Sequence, residues 1–391
     1  MIPLMKNTFL NEFETKKELS DFIAKSDRLS MGEQCHTFEK SFAQFQGSKD
    51  AILFNSGGSA NLAILQTLKN LGRVGDGDRV AFSALTWATN IMPIIQMGLK
   101  PVPVDCTVST LNVMSNTFTD LLSKMDIKVF FITNALGFTG DLGKIRDICN
   151  ENNIILLEDN CEALGTKLDD GISGSFGEMS SFSFFVAHHM STIEGGMVCT
   201  NNDEYAEMLR MVRANGWDRN LKASQQHKLR EKHNIHSEFD SKYTFYDLGY
   251  NLRPTEITGF LGNSQLKYLE ESNLKRKNNY DLLELVLKQN PDFVTLDHSH
   301  INFLSSFAFP VICKNQNLKE FYFSQFSGAG VEVRPMIAGN ILKQPFYKKY
   351  ADHNFTLPGT EKIDECGFYC GNYADLTDPD IEILSSCLSK S

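Results

Sequence analysis

Two adjacent histidines, His188 and His189, stand in the segment FSFFVAHHMSTIEGG between Phe182 and Gly196. An imidazole changes charge near neutral pH and can take a proton and return it within one reaction. In an arbitrary chain such a pair is more often hydrogen-bonded into a buried turn, so the surrounding pattern must decide. No lysine occurs between Lys167 and Lys222, so no primary amine lies near the pair in sequence. Asp159 opens Asp-Asn-Cys-Glu after the apolar run IILLE, where a carboxylate either serves a ligand or caps a following helix. Ser56-Gly57-Gly58-Ser59 joins an apolar run to a helix-length segment. Backbone N–H groups at a helix N-terminus bind anions, and glycine lets a phosphate approach closely. Arg219, Arg253 and Arg334 could add guanidinium forks that match phosphate oxygens, or could equally form surface ion pairs. The chemistry these types suggest is proton transfer beside a bound anion.

Elements must bring these residues together. β-rich runs recur at Ala51–Phe54, Arg79–Phe82, Pro101–Val104, Val129–Thr133, Ile154–Glu158, Ser181–Phe185 and Gly196–Thr200. Amphipathic helix-length segments such as Ser59–Asn70 and Leu142–Asn152 lie between several of them. Alternation of this kind predicts an α/β domain on a largely parallel sheet, and VFFIT fits a strand buried on both faces. Ligands of such sheets gather at the carboxyl ends of the strands, where Gly57, Gly58, Trp87 and Asp159 fall. From Asp218 to Lys242 the chain turns polar, which reads as a solvated loop, a lid or a dimer-contact segment. A helical stretch follows Asn251 through roughly Arg276. A second domain is expected beyond it, with strands at Ala308–Ile312 and Val331–Arg334 and a last helix at Asp378–Leu388, capped by Thr377 or Asp378.

With 391 residues, two domains sharing a cleft are expected. Net charge is −10 with a pI near 5.4, which argues against a nucleic-acid binder but leaves room for an anionic substrate held by a few local arginines. Nine scattered cysteines, with no Cys-x-x-Cys, suit a reducing cytoplasm and give no framework for a structural metal. The N-terminus turns charged too soon for a signal peptide, and no apolar run reaches membrane-spanning length.

Ser183, His188 and Glu194-Gly195-Gly196 carry a resemblance. Laid without gaps, the segment resembles the active site of the DegT/DnrJ/EryC1/StrS family of sugar-nucleotide aminotransferases, where Ser-Phe-x-x-x-Lys leads into a Gly-Glu-Gly-Gly turn. His188 falls on the lysine that holds pyridoxal phosphate (PLP) in that family, and an imidazole cannot hold an aldehyde covalently. The resemblance covers nearly the whole chain, from Gly32-Glu33 to GNYADLTDPD. It implies the aspartate-aminotransferase-like fold (fold type I): a large α/β/α domain over residues 1–265 with a seven-stranded, mostly parallel sheet, and a smaller α/β domain over 266–391. It implies that Asp159 pairs with the pyridine nitrogen and that Trp87 stacks on the ring, where a tryptophan beyond a strand is otherwise more often core. Gly57, Gly58, Ser59 and Ser183 would hold the phosphate, joined by Asn251 from the partner subunit of a homodimer with shared active sites. Glu162 falls where many members carry a glutamine near the phenolic oxygen. Arg219, Arg253 and Arg334 are the candidates for the substrate.

Within that family, histidine at the lysine position marks the sugar 3-dehydratases. The implied reaction removes the C3 hydroxyl of a nucleotide-linked 4-keto-6-deoxyhexose, with a GDP-linked, manno-configured sugar favoured. PLP is bound without covalent linkage and cycles to pyridoxamine phosphate at the expense of L-glutamate. The products are a 3-deoxy sugar, 2-oxoglutarate and ammonia. A sister group acting on CDP-sugars also carries the histidine but needs an iron–sulfur cluster, whose ligands include two cysteines one residue apart. This chain has no Cys-x-Cys. A protein that kept the fold for cofactor binding or regulation alone is the contrasting reading.

Overall fold

The computed structural model describes residues 1–352 and 354–390. Seven strands form the central sheet: β1 (Asp50–Phe54), β2 (Arg79–Ser83), β3 (Lys100–Val104), β4 (Val129–Thr133), β5 (Ile155–Asp159) and, after the short β6 (Lys167–Leu168) and β7 (Gly171–Ile172), β8 (Met179–Ser183) and β9 (Gly196–Thr200). Their order is β1-β9-β8-β5-β4-β2-β3. Every neighbouring pair from β8 to β3 is parallel, and β9 alone runs against both of its neighbours. Residues of β4, VFFIT, are buried without exception, as a strand covered by helices on both faces requires. The expected α/β architecture with a mostly parallel seven-stranded sheet is therefore present.

Helix ends carry their own sequence signals. Ser56 caps the helix Gly57–Asn70 by accepting from Ser59 N, and Asn202 caps Asp203–Val212. Thr377 and Asp380 close a reciprocal box at Asp378–Leu388. The helical stretch after Asn251 divides into Glu256–Leu266 and Leu269–Leu287.

A three-stranded antiparallel sheet lies in the C-terminal part: β11 (Ala308–Ile312), β13 (Gly367–Gly371) and β12 (Val333–Pro335), in that order, while β10 (Ile301–Phe303) joins β6 and β7. One continuous apolar cluster includes Phe130 and Ile132 of β4 together with Phe309 and Val311 of β11. The first residues also reach this region, with Ile2 bridging Val331 and Leu4 N donating to Glu332. Buried Arg276 donates to the carbonyls of Phe307 and Asn372, which flank β11 and β13. These contacts hold the C-terminal sheet over the carboxyl ends of the central strands.

The polar segment 218–242 is not a loop throughout. It contains the helices Ala223–Lys232 and Glu238–Ser241. The first buries none of its residues, and it is fastened by an ion pair of Arg230 with Asp218 at 2.6 Å. Among the described residues no helix is long and apolar enough to cross a membrane.

Candidate active site

A cavity of about 410 Å³ opens at the carboxyl ends of β1, β2, β4, β5 and β8. Gly57, Gly58, Trp87, Asp159, Glu162, Ser183 and His188 all line it. Close packing explains the glycines. A Cβ on Gly57 would stand 2.6 Å from Ser183 Cβ, and one on Gly196 would meet the Ser56 carbonyl oxygen at 2.2 Å. The strand-to-helix turn after β1 thus lies directly on the end of β8.

Asp159 is the most firmly held group. Its carboxylate accepts from Asn61 Nδ2 at 2.9 Å, from Asn90 Nδ2 at 2.8 Å and from Cys161 N at 2.9 Å. Asp159 does not cap a helix; a turn follows it.

His188 is half-buried, and its Nδ1 lies 2.5 Å from the carbonyl oxygen of Cys161. A carbonyl only accepts, so Nδ1 carries the hydrogen and Nε2 keeps a free lone pair. Burial pushes the pKa of His188 below its ordinary value, and the Cys161 carbonyl opposes that shift. The ring is therefore neutral at neutral pH and ready to accept a proton at Nε2. His189 is fully buried with Nε2 on the Ser305 carbonyl at 3.0 Å, and burial lowers its pKa strongly. It is a packing residue behind the site.

Glu162 is half-buried, and burial pushes its carboxyl group up to about 7. One oxygen, Oε2, accepts from Leu136 N at 2.9 Å. The indole of Trp87 is 58% exposed although it lines the cavity, so this tryptophan is a free aromatic face and not core. Neither lysine nor arginine occurs among the described residues lining the cavity.

Other expected residues lie elsewhere. Ser59 is set back, its N–H taken by the Ser56 cap, so Ser56 takes its place at the cavity wall. Asn251 and Arg253 are exposed and hydrogen-bonded to each other at 3.0 Å. Arg219 is exposed with its guanidinium over the Trp217 ring at 4.2 Å. Arg334 is exposed on β12 and paired with Glu332 at 2.5 Å. Within one chain these four do not reach the cavity.

Thr89, Thr133, Phe307, Ile337 and Tyr369 line the cavity without having been singled out in the sequence. Tyr369 belongs to β13, and burial pushes its hydroxyl up to about 12, so it stays neutral. Backbone conformation offers a further signal. Among the described residues eight non-glycine residues have positive φ, and four of them are asparagines, which tolerate it. Of the other four, Ile337 lines the cavity, Ile193 precedes cavity-lining Glu194, and Leu136 donates to Glu162. Backbone strain of this kind concentrates at functional sites.

The donor set fits the cofactor that the sequence suggests. The carboxyl group of Asp159, fixed by its hydrogen bonds, suits a ring nitrogen, the exposed face of Trp87 suits a stacked ring, and Gly57 and Gly58 open the helix Gly57–Asn70, whose N-terminus favours a phosphate.

Comparison with known proteins agrees with this geometry. The chain is 33% identical over 382 residues to GDP-4-keto-6-deoxy-D-mannose 3-dehydratase of Escherichia coli O55:H7, with 95% of each chain covered. A crystal structure of GDP-4-keto-6-deoxymannose-3-dehydratase, a histidine-to-asparagine mutant with bound GDP-perosamine, superimposes with a TM-score of 0.90 at 30% identity and covers 100% of both chains. Another crystal structure of that enzyme, with a trapped PLP-glutamate geminal diamine, matches with the same TM-score, identity and coverage. Residues 11–389 match the DegT/DnrJ/EryC1/StrS aminotransferase family pattern, and the chain belongs to that family.

Proposed function

We propose that this chain is a PLP-dependent nucleotide-sugar 3-dehydratase that removes the C3 hydroxyl of a GDP-linked 4-keto-6-deoxyhexose, with L-glutamate as amino donor. The observation that carries the reading is His188: a neutral imidazole, oriented by the Cys161 carbonyl, stands where an aminotransferase needs an amine. The bound cofactor supplies an electron sink for charge developing beside its ring and, in its pyridoxamine form, the amino group that meets the C4 ketone. Asp159 would keep the ring nitrogen protonated, and Trp87 would cover one face of the ring. The turn at Gly57 and Gly58, with Ser183, would take the phosphate. His188 Nε2 is the base, and without a lysine the cofactor is free to leave and return.

The cation-free cavity of a single chain supports a homodimer, because a nucleotide diphosphate needs positive partners. Arg219, Arg253 and Asn251 would serve the site of a second copy, and Arg334 the site of its own. A cytoplasmic location accords with nine cysteines, none of them in a disulfide among the described residues.

Incubation of the protein with PLP, L-glutamate and the GDP-linked 4-keto-6-deoxyhexose should yield 2-oxoglutarate and a 3-deoxy sugar detectable by mass spectrometry. The CDP-linked gluco isomer should react more slowly. A 4-amino sugar as the main product would make the protein an aminotransferase and overturn the proposal.

A further inference from the structure

The turn after β5 carries two carboxyl groups into one cavity, and their surroundings differ sharply. Asp159 accepts three N–H donors, the amides of Asn61 and Asn90 and the backbone of Cys161, whereas Glu162 accepts one, from Leu136 N. No lysine or arginine of the cavity wall compensates either. Phe307 and Ile337, which line the same cavity, are apolar. The titratable neighbours are Asp159 and Cys161 on its own turn, His188 and Glu194 from the loop after β8, and Tyr369 from β13. Arg334, paired in register with Tyr369, is already engaged by Glu332. Two carboxyl groups in one low-dielectric site cannot both ionise cheaply, and unequal donors decide which one keeps its proton.

The single donor to Glu162 is itself fixed in place. Leu136 N reaches it from a residue with φ 56°, a conformation that L side chains rarely adopt. That turn is held by Phe307 N, which donates to Leu136 O at 3.1 Å. With Oε2 occupied as an acceptor, a neutral carboxyl group on this cavity-lining residue is left to carry its O–H on Oε1. His188 has one nitrogen, Nε2, open to the cavity; it begins bare and can give a proton only after taking one, whereas Glu162 can hold a proton from the start.

We propose that Glu162 is the acid of this site, giving its proton to the hydroxyl that leaves C3 of the sugar while His188 serves as the base. This rests on the dehydratase reading above. The C3–O bond breaks with its electron pair going to oxygen, a new O–H bond forms with the Glu162 proton, and water departs. Glu162 is left as a carboxylate, and His188 holds the proton removed in the same turnover. Loss of that proton from His188 and recovery of one by Glu162, both through solvent, close the cycle with no other reactant.

Glu162→Gln tests the assignment, since it keeps size and an oxygen for Leu136 N–H but has no proton to transfer. The wild-type protein comes first: if it neither converts glutamate to 2-oxoglutarate nor forms a 3-deoxy sugar, the dehydratase reading itself fails. With wild type active, Glu162→Gln should lose roughly 10²–10⁴-fold in single-turnover dehydration, a larger loss than in the glutamate half-reaction. The wild-type rate should fall as pH rises through about 7, where the acid loses its proton, and the variant should lack that limb. Dehydration at the wild-type rate, or equal losses in both half-reactions, overturns the proposal. Infrared spectroscopy of the cofactor-free protein gives an independent reading. A protonated carboxyl band at pH 6 should vanish as pH rises through about 7 and be missing from Glu162→Gln; no such band in the wild type also overturns it.

Discussion

At the scale of single residues, His188 combines a fixed tautomer with a depressed pKa, so it enters the reaction unprotonated. His188→Asn keeps polarity and approximate size but moves no proton, and dehydration should fall by roughly 10²–10⁴-fold in a stopped assay. His189→Asn, behind the site, should be far milder. Glu162 makes a separate claim on stability. Its folded pKa lies above the ordinary value of 4.5, so the native state binds more protons than the unfolded chain between about 4.5 and about 7. Stability of the cofactor-free protein therefore falls as pH rises through that window, and Glu162→Gln should recover melting temperature at pH 8 but not at pH 4. A pH-independent difference between the two proteins would contradict that linkage. His188, Asp159, Trp87 and the glycine turn were legible because each lies at a strand end within a short motif. Tyr369, Phe307 and Ile337 were not, because they reach the cavity only through the docking of β11, β12 and β13, which no local pattern encodes.

At the scale of elements, the sequence was most legible where burial is two-sided. The run Val129–Thr133 is a strand at the expected residues because apolar, β-branched and aromatic side chains fill both faces. The segment 218–242 was read as a loop because Ala223–Lys232 has no apolar stripe, so its helix leaves no period to detect. What holds it is an ion pair, Arg230 with Asp218, which periodicity does not report. The turn before β9 carries a different burden. Ile193 has φ 72° and is 46% exposed, so a β-branched residue bears left-handed strain with little burial in return. Asparagine tolerates that region, and Ile193→Asn should stabilise the cofactor-free protein by about 1 kcal/mol in urea unfolding. A loss of similar size would mean that Ile193 is held by contacts outside its own chain.

At the scale of the whole molecule, charge and surface point to a second copy. Among the described residues no lysine or arginine lines the cavity, yet Arg219 and Arg253 stand on the exterior. Near Arg219, Trp217 stacks on Phe245 at 5.2 Å, and Phe239 and Tyr243 are 79% and 75% exposed. Exposed aromatic rings gathered beside arginine match the composition of interface centres. If Asn251 of one copy completes the cavity of the other, each site contains His188 from one chain and Asn251 from its partner. Two variants, His188→Asn and Asn251→Ala, should each be nearly inactive alone. In a mixed dimer, one site then inherits both lesions and the other inherits none. Equal mixing with subunit exchange makes about half of the dimers mixed, so about a quarter of wild-type activity should return. Light scattering should show dimers throughout, and the recovered activity should appear only after exchange. Should the mixture stay as inactive as its components while exchange is demonstrated, each cavity is complete within one chain, and the positive partners of the diphosphate must be sought on that chain, beginning with Arg334 beside Tyr369.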